Sequence, residues 1–147
     1  MRSLYDNLGI GESLDPQSIS GSTAVNGTSV DTKGNNTAVI RARGAAASGA
    51  PSAATLAVKL QESSDNSTFT DALDNTGTVI GFTLTVTSAV ASGLARIEGL
   101  GLNRKRYLRA VITPTFTGGT TPASVAFAEI LLGRAFQRPT VTATSNT

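Results

Sequence analysis

Residues 104–134 read Arg-Lys-Arg-Tyr-Leu-Arg-Ala-Val-Ile-Thr-Pro-Thr-Phe-Thr-Gly-Gly-Thr-Thr-Pro-Ala-Ser-Val-Ala-Phe-Ala-Glu-Ile-Leu-Leu-Gly-Arg. Two β-rich runs, 106–113 and 124–132, are separated by Pro114, Gly118, Gly119 and Pro122. In the first run Tyr107, Arg109, Val111 and Thr113 share one face, and Leu108, Ala110 and Ile112 share the other. Period-two alternation of β-branched and aromatic residues, punctuated by Gly and Pro, is the signature of paired strands, so the stretch predicts a β-hairpin. It sets the expected fold class: all-β, an antiparallel two-sheet sandwich or jelly roll with extended N- and C-terminal arms.

The rest of the chain repeats this pattern. Residues 37–43 alternate Thr37, Val39, Arg41 and Arg43 against Ala38, Ile40 and Ala42. Residues 54–62 place Leu56, Val58 and Leu60 on one side and Ala57, Lys59 and Gln61 on the other. Asp65-Asn66-Ser67 reads as a turn into a short return strand at Thr68-Phe69-Thr70. Thr78–Val86 alternates again, with Phe82, Leu84 and Val86 opposite Thr83, Thr85 and Thr87, and Arg96-Ile97-Glu98 reads as a further strand. A run at 18–25 is a candidate first strand, and Gly44 to Pro51 reads as a loop. Seven to nine short strands result, the pattern of a two-layer β fold. Its expected interior is Leu56, Val58, Leu60, Phe82, Leu84, Leu108, Ala110 and Ile112. The expected organisation is an arm at 1–17, a β-sandwich at 18–134 and a polar tail at 135–147.

Composition limits the chemistry. Of 147 residues 20 are alanine and none is Trp, so the core must be lean. With neither Cys nor His, thiol chemistry, the commonest general base and nearly all zinc or copper sites are excluded. No apolar run approaches membrane-spanning length, and Met-Arg-Ser-Leu-Tyr-Asp has no signal-peptide core. Asp65, Asp71 and Asp74 lack the closing Glu and central Gly of an EF-hand loop and read as solvated turns. Glu98 and Glu129, the acids of the second half, sit in strands with nothing to set them across a cleft as a catalytic pair. Glu129 is expected to pair with Arg109 or Arg106. No catalytic residue, cofactor or metal ligand is therefore expected, and the chain reads as no enzyme.

Charge is unevenly spread. Residues 1–74 carry five basic and eight acidic groups, and residues 75–147 carry seven and two, so the halves are −3 and +5. Such bipolarity suits neighbour contacts in an assembly better than a nucleic-acid groove, and no nucleic-acid or membrane partner is expected. The candidate interface residues are Tyr5, Leu8 and Ile10, apolar in an arm with no strand to bury them, and the cluster Arg104, Lys105 and Arg106.

Three segments carry a resemblance. Val58-Lys59-Leu60-Gln61-Glu62-Ser63 with Asp65-Asn66-Ser67-Thr68-Phe69, then Asn103 to Ala110, then Ala128-Glu129-Ile130-Leu131-Leu132-Gly133, resemble segments of small structural proteins of tailed bacteriophages. The resemblance covers about half the chain and implies a capsid decoration (cement) protein: a jelly-roll-like domain outside the head that clamps neighbouring major capsid subunits. Such proteins are often trimers, so a homotrimer bound to the major capsid protein is what it implies. A tail, neck or head-fibre component, or a host-surface or carbohydrate-binding β-module, are the alternatives.

Overall fold

In the computed structural model, which describes residues 8–100 and 102–133, ten strands form two antiparallel sheets, with no helix among the described residues. The strands are β1 (Leu8–Ser20), β2 (Val25–Asn26), β3 (Val30–Asp31), β4 (Thr37–Gly44), β5 (Ala53–Ser63), β6 (Thr70–Asp71), β7 (Gly81–Thr85), β8 (Ala91–Glu98), β9 (Tyr107–Thr117) and β10 (Ala123–Gly133). The four-stranded sheet runs β1-β10-β4-β8. The six-stranded sheet is built on β5 and β9, paired along eleven residues, with β2 and β3 on the far side of β9 and β6 and β7 on the far side of β5.

The sheets meet face to face, each contributing every second residue. The six-stranded sheet supplies bulk, with Leu56, Leu60, Leu108 and Ile112 fully buried. The four-stranded sheet answers with Ala38, Ala42, Ala126 and Ala128 around Ile40 and Ile130. Among the described residues seven of the 22 in the core are alanine, so small side chains of one layer receive large ones of the other. The expected interior is found, with Phe82 half-buried at its margin.

Two expectations are corrected. The runs at 106–113 and 124–132 do not form a hairpin: β9 and β10 lie in opposite sheets. Alternation is the same whichever sheet a strand enters; the connecting loop decides. Here Gly118, Gly119 and Thr121 all take positive φ and carry the chain across the sandwich. That loop is pinned to the 44–51 loop by Thr120 N–H donating to Gly49 O (2.8 Å) and Ser48 N–H donating to Ala123 O (2.8 Å).

The second correction concerns the arm. Strand β1 starts at Leu8, so residues 8–17 belong to the sandwich, and the first strand is not confined to 18–25. Gly11 does not interrupt it: a Cβ there would lie 2.6 Å from Val30, so glycine marks close packing against β3. Pro16 is absorbed by register shifts between Glu12 and Leu14 and between Leu14 and Gln17. Residues 1–7, including Tyr5, and the tail at 135–147 lie outside the described residues.

The first shift turns Ser13 inward. Between β2 and β3 no strand covers Ala110, so its N–H needs another partner. Ser13 Oγ accepts that N–H at 2.8 Å and donates to Thr28 O at 2.8 Å, joining the two sheets. Ser13→Ala is expected to destabilise the fold by about 1–3 kcal/mol, the cost of an orphaned buried donor, read as a lower urea midpoint with unchanged slope.

The corner between the 44–51 and 118–122 loops gives a second expectation. Gly49 (φ 78) and Gly119 (φ 81) approach so closely that a Cβ on Gly49 would sit 2.3 Å from Thr120 O and one on Gly119 would sit 2.5 Å from Gly49 O. Gly49→Ala should cost more than about 2 kcal/mol, through both left-handed strain and collision. Gly34→Ala (φ 81, open space) should cost only the strain, about 1 kcal/mol. Equal losses in chemical denaturation would show that the corner does not depend on this contact.

Candidate interaction surface

Strands β4 and β9 start, and β5, β8 and β10 end, at one end of the sandwich, where β1 also begins. The register Leu8↔Gly133↔Thr37↔Glu98 crosses the four-stranded sheet there, and Ser63↔Tyr107↔Asp31 crosses the other. The 32–36 loop ties the two layers: Thr32 N–H donates to Arg106 O (2.9 Å), Asn36 N–H to Gly133 O (3.0 Å), and Leu100 N–H to Asn36 O (3.0 Å). This end gathers Leu8 and the whole 104–106 cluster, which lie far apart in sequence. Ile10 sits further along β1, on the outer face of the four-stranded sheet and 63% exposed.

The three cations of the cluster differ in use. Arg106 makes a two-pronged pair with Asp31 (Nε–Oδ1 2.9 Å, Nη2–Oδ2 2.6 Å) and lies 5.2 Å from the Tyr107 ring centre. Its hydrogen bond, then that of Lys33 N–H, lowers the Asp31 pKa to about 2. Lys105 donates from Nζ to Thr70 Oγ1 at 2.8 Å and closes the loop against β6. Arg104 makes no hydrogen bond or ion pair among the described residues. It lines a cleft of about 410 Å³ with Leu73, Asp74, Asn75, Glu98 and Asn103. Next to it the tight turn of Leu102 N–H and Asn103 N–H onto Gly99 O leaves Leu102 82% exposed.

Glu129 pairs with neither Arg109 nor Arg106. Because β10 pairs with β4, Glu129 meets Arg41 (2.7 Å), while Arg109 in the other sheet donates twice to Gln61 Oε1 (3.0 and 2.7 Å) and lies 4.1 Å from the Phe69 ring centre. Asp71 accepts from Gln61 and Lys59, which hold its carboxyl below the usual range, the Gln61 bond most strongly. Asp65 is held lower by Ser63 and the N–H groups of Thr68 and Ser67. Asp74 is lowered by Thr76 and Thr78. Each carboxylate is thus committed to its own turn or strand. The sequence reading did not assemble the outer face of the four-stranded sheet. Its signal was present in Val39, Val125, Phe127 and Leu131 at the outward positions of β4 and β10, but only the strand order brings them beside Ile10 and Leu94.

No protein-family model matches the sequence, and no curated protein matches it. Solved structures do. The PBSX exported protein XepA is similar at 13% identity and TM-score 0.50, over 95% of this chain and 42% of that one. The CBM36-1 domain of a multidomain xylanase from the hindgut metagenome of Trinervitermes trinervoides is similar at 13% identity and TM-score 0.44, over 88% of this chain and 99% of that one. A structure of infectious bursal disease virus, Gx strain, is similar at 10% identity and TM-score 0.44, over 86% of this chain and 32% of that one. This chain thus spans less than half of the XepA chain it matches. The likeness to XepA is one of fold.

The Asp31–Arg106 pair gives a pH expectation. A depressed carboxyl pKa contributes stability that is fully present above its unfolded value of about 3.8 and lost as pH falls towards about 2. Asp31→Asn should therefore lower the melting temperature modestly at pH 7, the pair being half-exposed. The difference from the parent should close between pH 4 and pH 2. A difference that persists at pH 2 would mean that charge at Asp31 is not what ties this loop.

Proposed function

We propose that this protein is a non-enzymatic structural component of a phage virion that sits on the exterior of the head and bridges neighbouring major capsid subunits. The observation that carries the reading is the convergence, at one end of the sandwich, of an apolar and basic contact set. Leu8 and Leu102 are exposed there, Arg104 lines its cleft without a partner among the described residues, and β1 and β10 point their outer ends the same way. The resemblance of three of its segments to small phage structural proteins points in the same direction.

The physics of such a role is mass action. A protein that binds assembled shells better than free subunits raises shell stability by its binding free energy. Leu102 and Leu8 supply apolar area that salt strengthens or leaves alone, and Arg104 supplies a charge contact that salt screens. The Asp31–Arg106 and Lys105–Thr70 contacts hold the loop in place before binding, so little ordering entropy is lost on docking.

The test is imaging of purified virions with this chain labelled, together with shell binding of variants. Density on the head lattice is expected, and Leu102→Asp and Arg104→Glu should each weaken shell binding tenfold or more while leaving the melting temperature within about 2 °C, as befits surface changes. Label at the tail tip or neck, with none on the head, would falsify the reading.

A further inference from the structure

The outer faces of the two sheets are unlike. That of the six-stranded sheet is polar: Thr55, Thr83, Thr85, Thr113 and Thr115 surround a chain of contacts from Lys59 through Asp71 and Gln61 to Arg109. That of the four-stranded sheet carries Ile10 (63% exposed), Leu94 (68%) and Val125 (51%), with Val39, Phe127 and Leu131 half-exposed between them. A patch of this kind on a domain with so small a core marks an interface.

The charges on this face say what covers it. Across the sheet the register rows are Ile10–Leu131–Val39–Arg96 and Glu12–Glu129–Arg41–Leu94, with Phe127–Arg43–Ser92 beyond. The β1/β10 half is acidic, through Glu12 and Glu129. The β4/β8 half is basic, through Arg41, Arg43 and Arg96; within the chain Arg41 reaches across to Glu129 at 2.7 Å and Arg96 lies 3.7 Å from Glu98, which leaves Arg43 uncompensated among the described residues. A surface acidic on one side and basic on the other is complementary to itself. For aligned sheets, a two-fold axis running along the strands lays β1 over the partner's β8 and β10 over the partner's β4. Leu131 then meets the partner's Val39, Glu129 meets the partner's Arg41, and the Phe127 ring meets the partner's Arg43. An axis across the strands instead lays acid on acid. Four strands at about 4.8 Å and some ten residues of length give a footprint of about 600 Å² a side. The total exceeds the roughly 1,000 Å² that a specific interface requires.

We infer that the outer face of the four-stranded sheet binds a second copy of this chain, in an isologous dimer whose two-fold axis runs along the strands. The dimer stands on this face alone. One consequence rests on the proposed function: such an axis preserves strand direction, so both loop ends point the same way and the dimer meets a shell at two places at once, with the gain that linked sites give.

The experiment uses the full chain. Sedimentation equilibrium should give twice the 15.0 kDa chain mass. A monomer at every concentration, or a three-copy mass, overturns the inference. Val39→Lys, at an outward position, should yield a monomer with an unchanged strand spectrum; a folded variant that remains dimeric overturns the assigned face. Because the chain has no cysteine, cross-links report the axis. Ile10→Cys with Arg96→Cys in one chain, about 14 Å apart within it by strand spacing, should be joined between two copies by a bis-maleimide that reaches about 10 Å, the spacing of packed sheets, while each single variant should not. Cross-linking by either single variant overturns the axis. Virion imaging separates the two proposals: cross-linked dimers without head density leave the dimer standing and remove the shell reading, and head density from a strict monomer does the reverse.

Discussion

The architecture depends on a backbone contact at the corner where β9 gives way to β10. Two strands of eleven residues each, joined by five, would pair with one another if the joint were an ordinary hairpin turn. They enter opposite layers because Gly49 and Gly119 allow two loops to pack main chain against main chain. With β9 committed to β5, and β10 to β1 and β4, every other strand has its place and its inward face assigned.

A sandwich with so many alanines has little margin for unsatisfied polar groups, and the interior is organised accordingly. Among the described residues Ser13, Thr32, Ser63 and Ser124 are the buried polar side chains, and each makes a hydrogen bond within 2.8 Å. Three of the four bonds go to main-chain carbonyls in loops or strand ends, where the ladders stop. These small hydroxyls replace packing volume as the means of locating loops. Seen this way, the abundance of Ser and Thr is partly structural, while Thr55, Thr83, Thr85, Thr113 and Thr115 line the polar face of the six-stranded sheet.

Much of the fold was legible because alternation is a local property. Leu56, Val58 and Leu60 announce their inward face without reference to any partner, and so do Leu108, Ala110 and Ile112. Pairing is a non-local property, and it is where the reading failed. Glu129 could not be assigned to Arg41 without knowing that β10 neighbours β4, 88 positions away in the chain. Residues 8–17 read as an arm because what lets them pair as a strand lies elsewhere: Val30 fills the space beside Gly11, and two register shifts absorb Pro16. Leu8 and the basic run at 104–106 were both visible as candidate contact residues. That they share one end of the sandwich needed the register Leu8↔Gly133, which sequence alone does not disclose.

That register has a mechanical consequence. Strands β1 and β10 are neighbours, antiparallel, and open outward at the same end. A force applied between Leu8 and Gly133 acts across the ladder rather than along it, so hydrogen bonds break one after another, as in a zip, at low peak load. The pair β5 and β9 lies in the other layer and is loaded by no such pull. Tension arriving through the chain ends would be relieved by peeling β1 from its edge while the Leu56, Leu60 and Ile112 layer stays closed. The hydroxyl of Ser13, where β1 is fastened to β9, makes the first side-chain hydrogen bonds beyond the ladder that such peeling must break, after the contact of Gly11 with Val30 has parted.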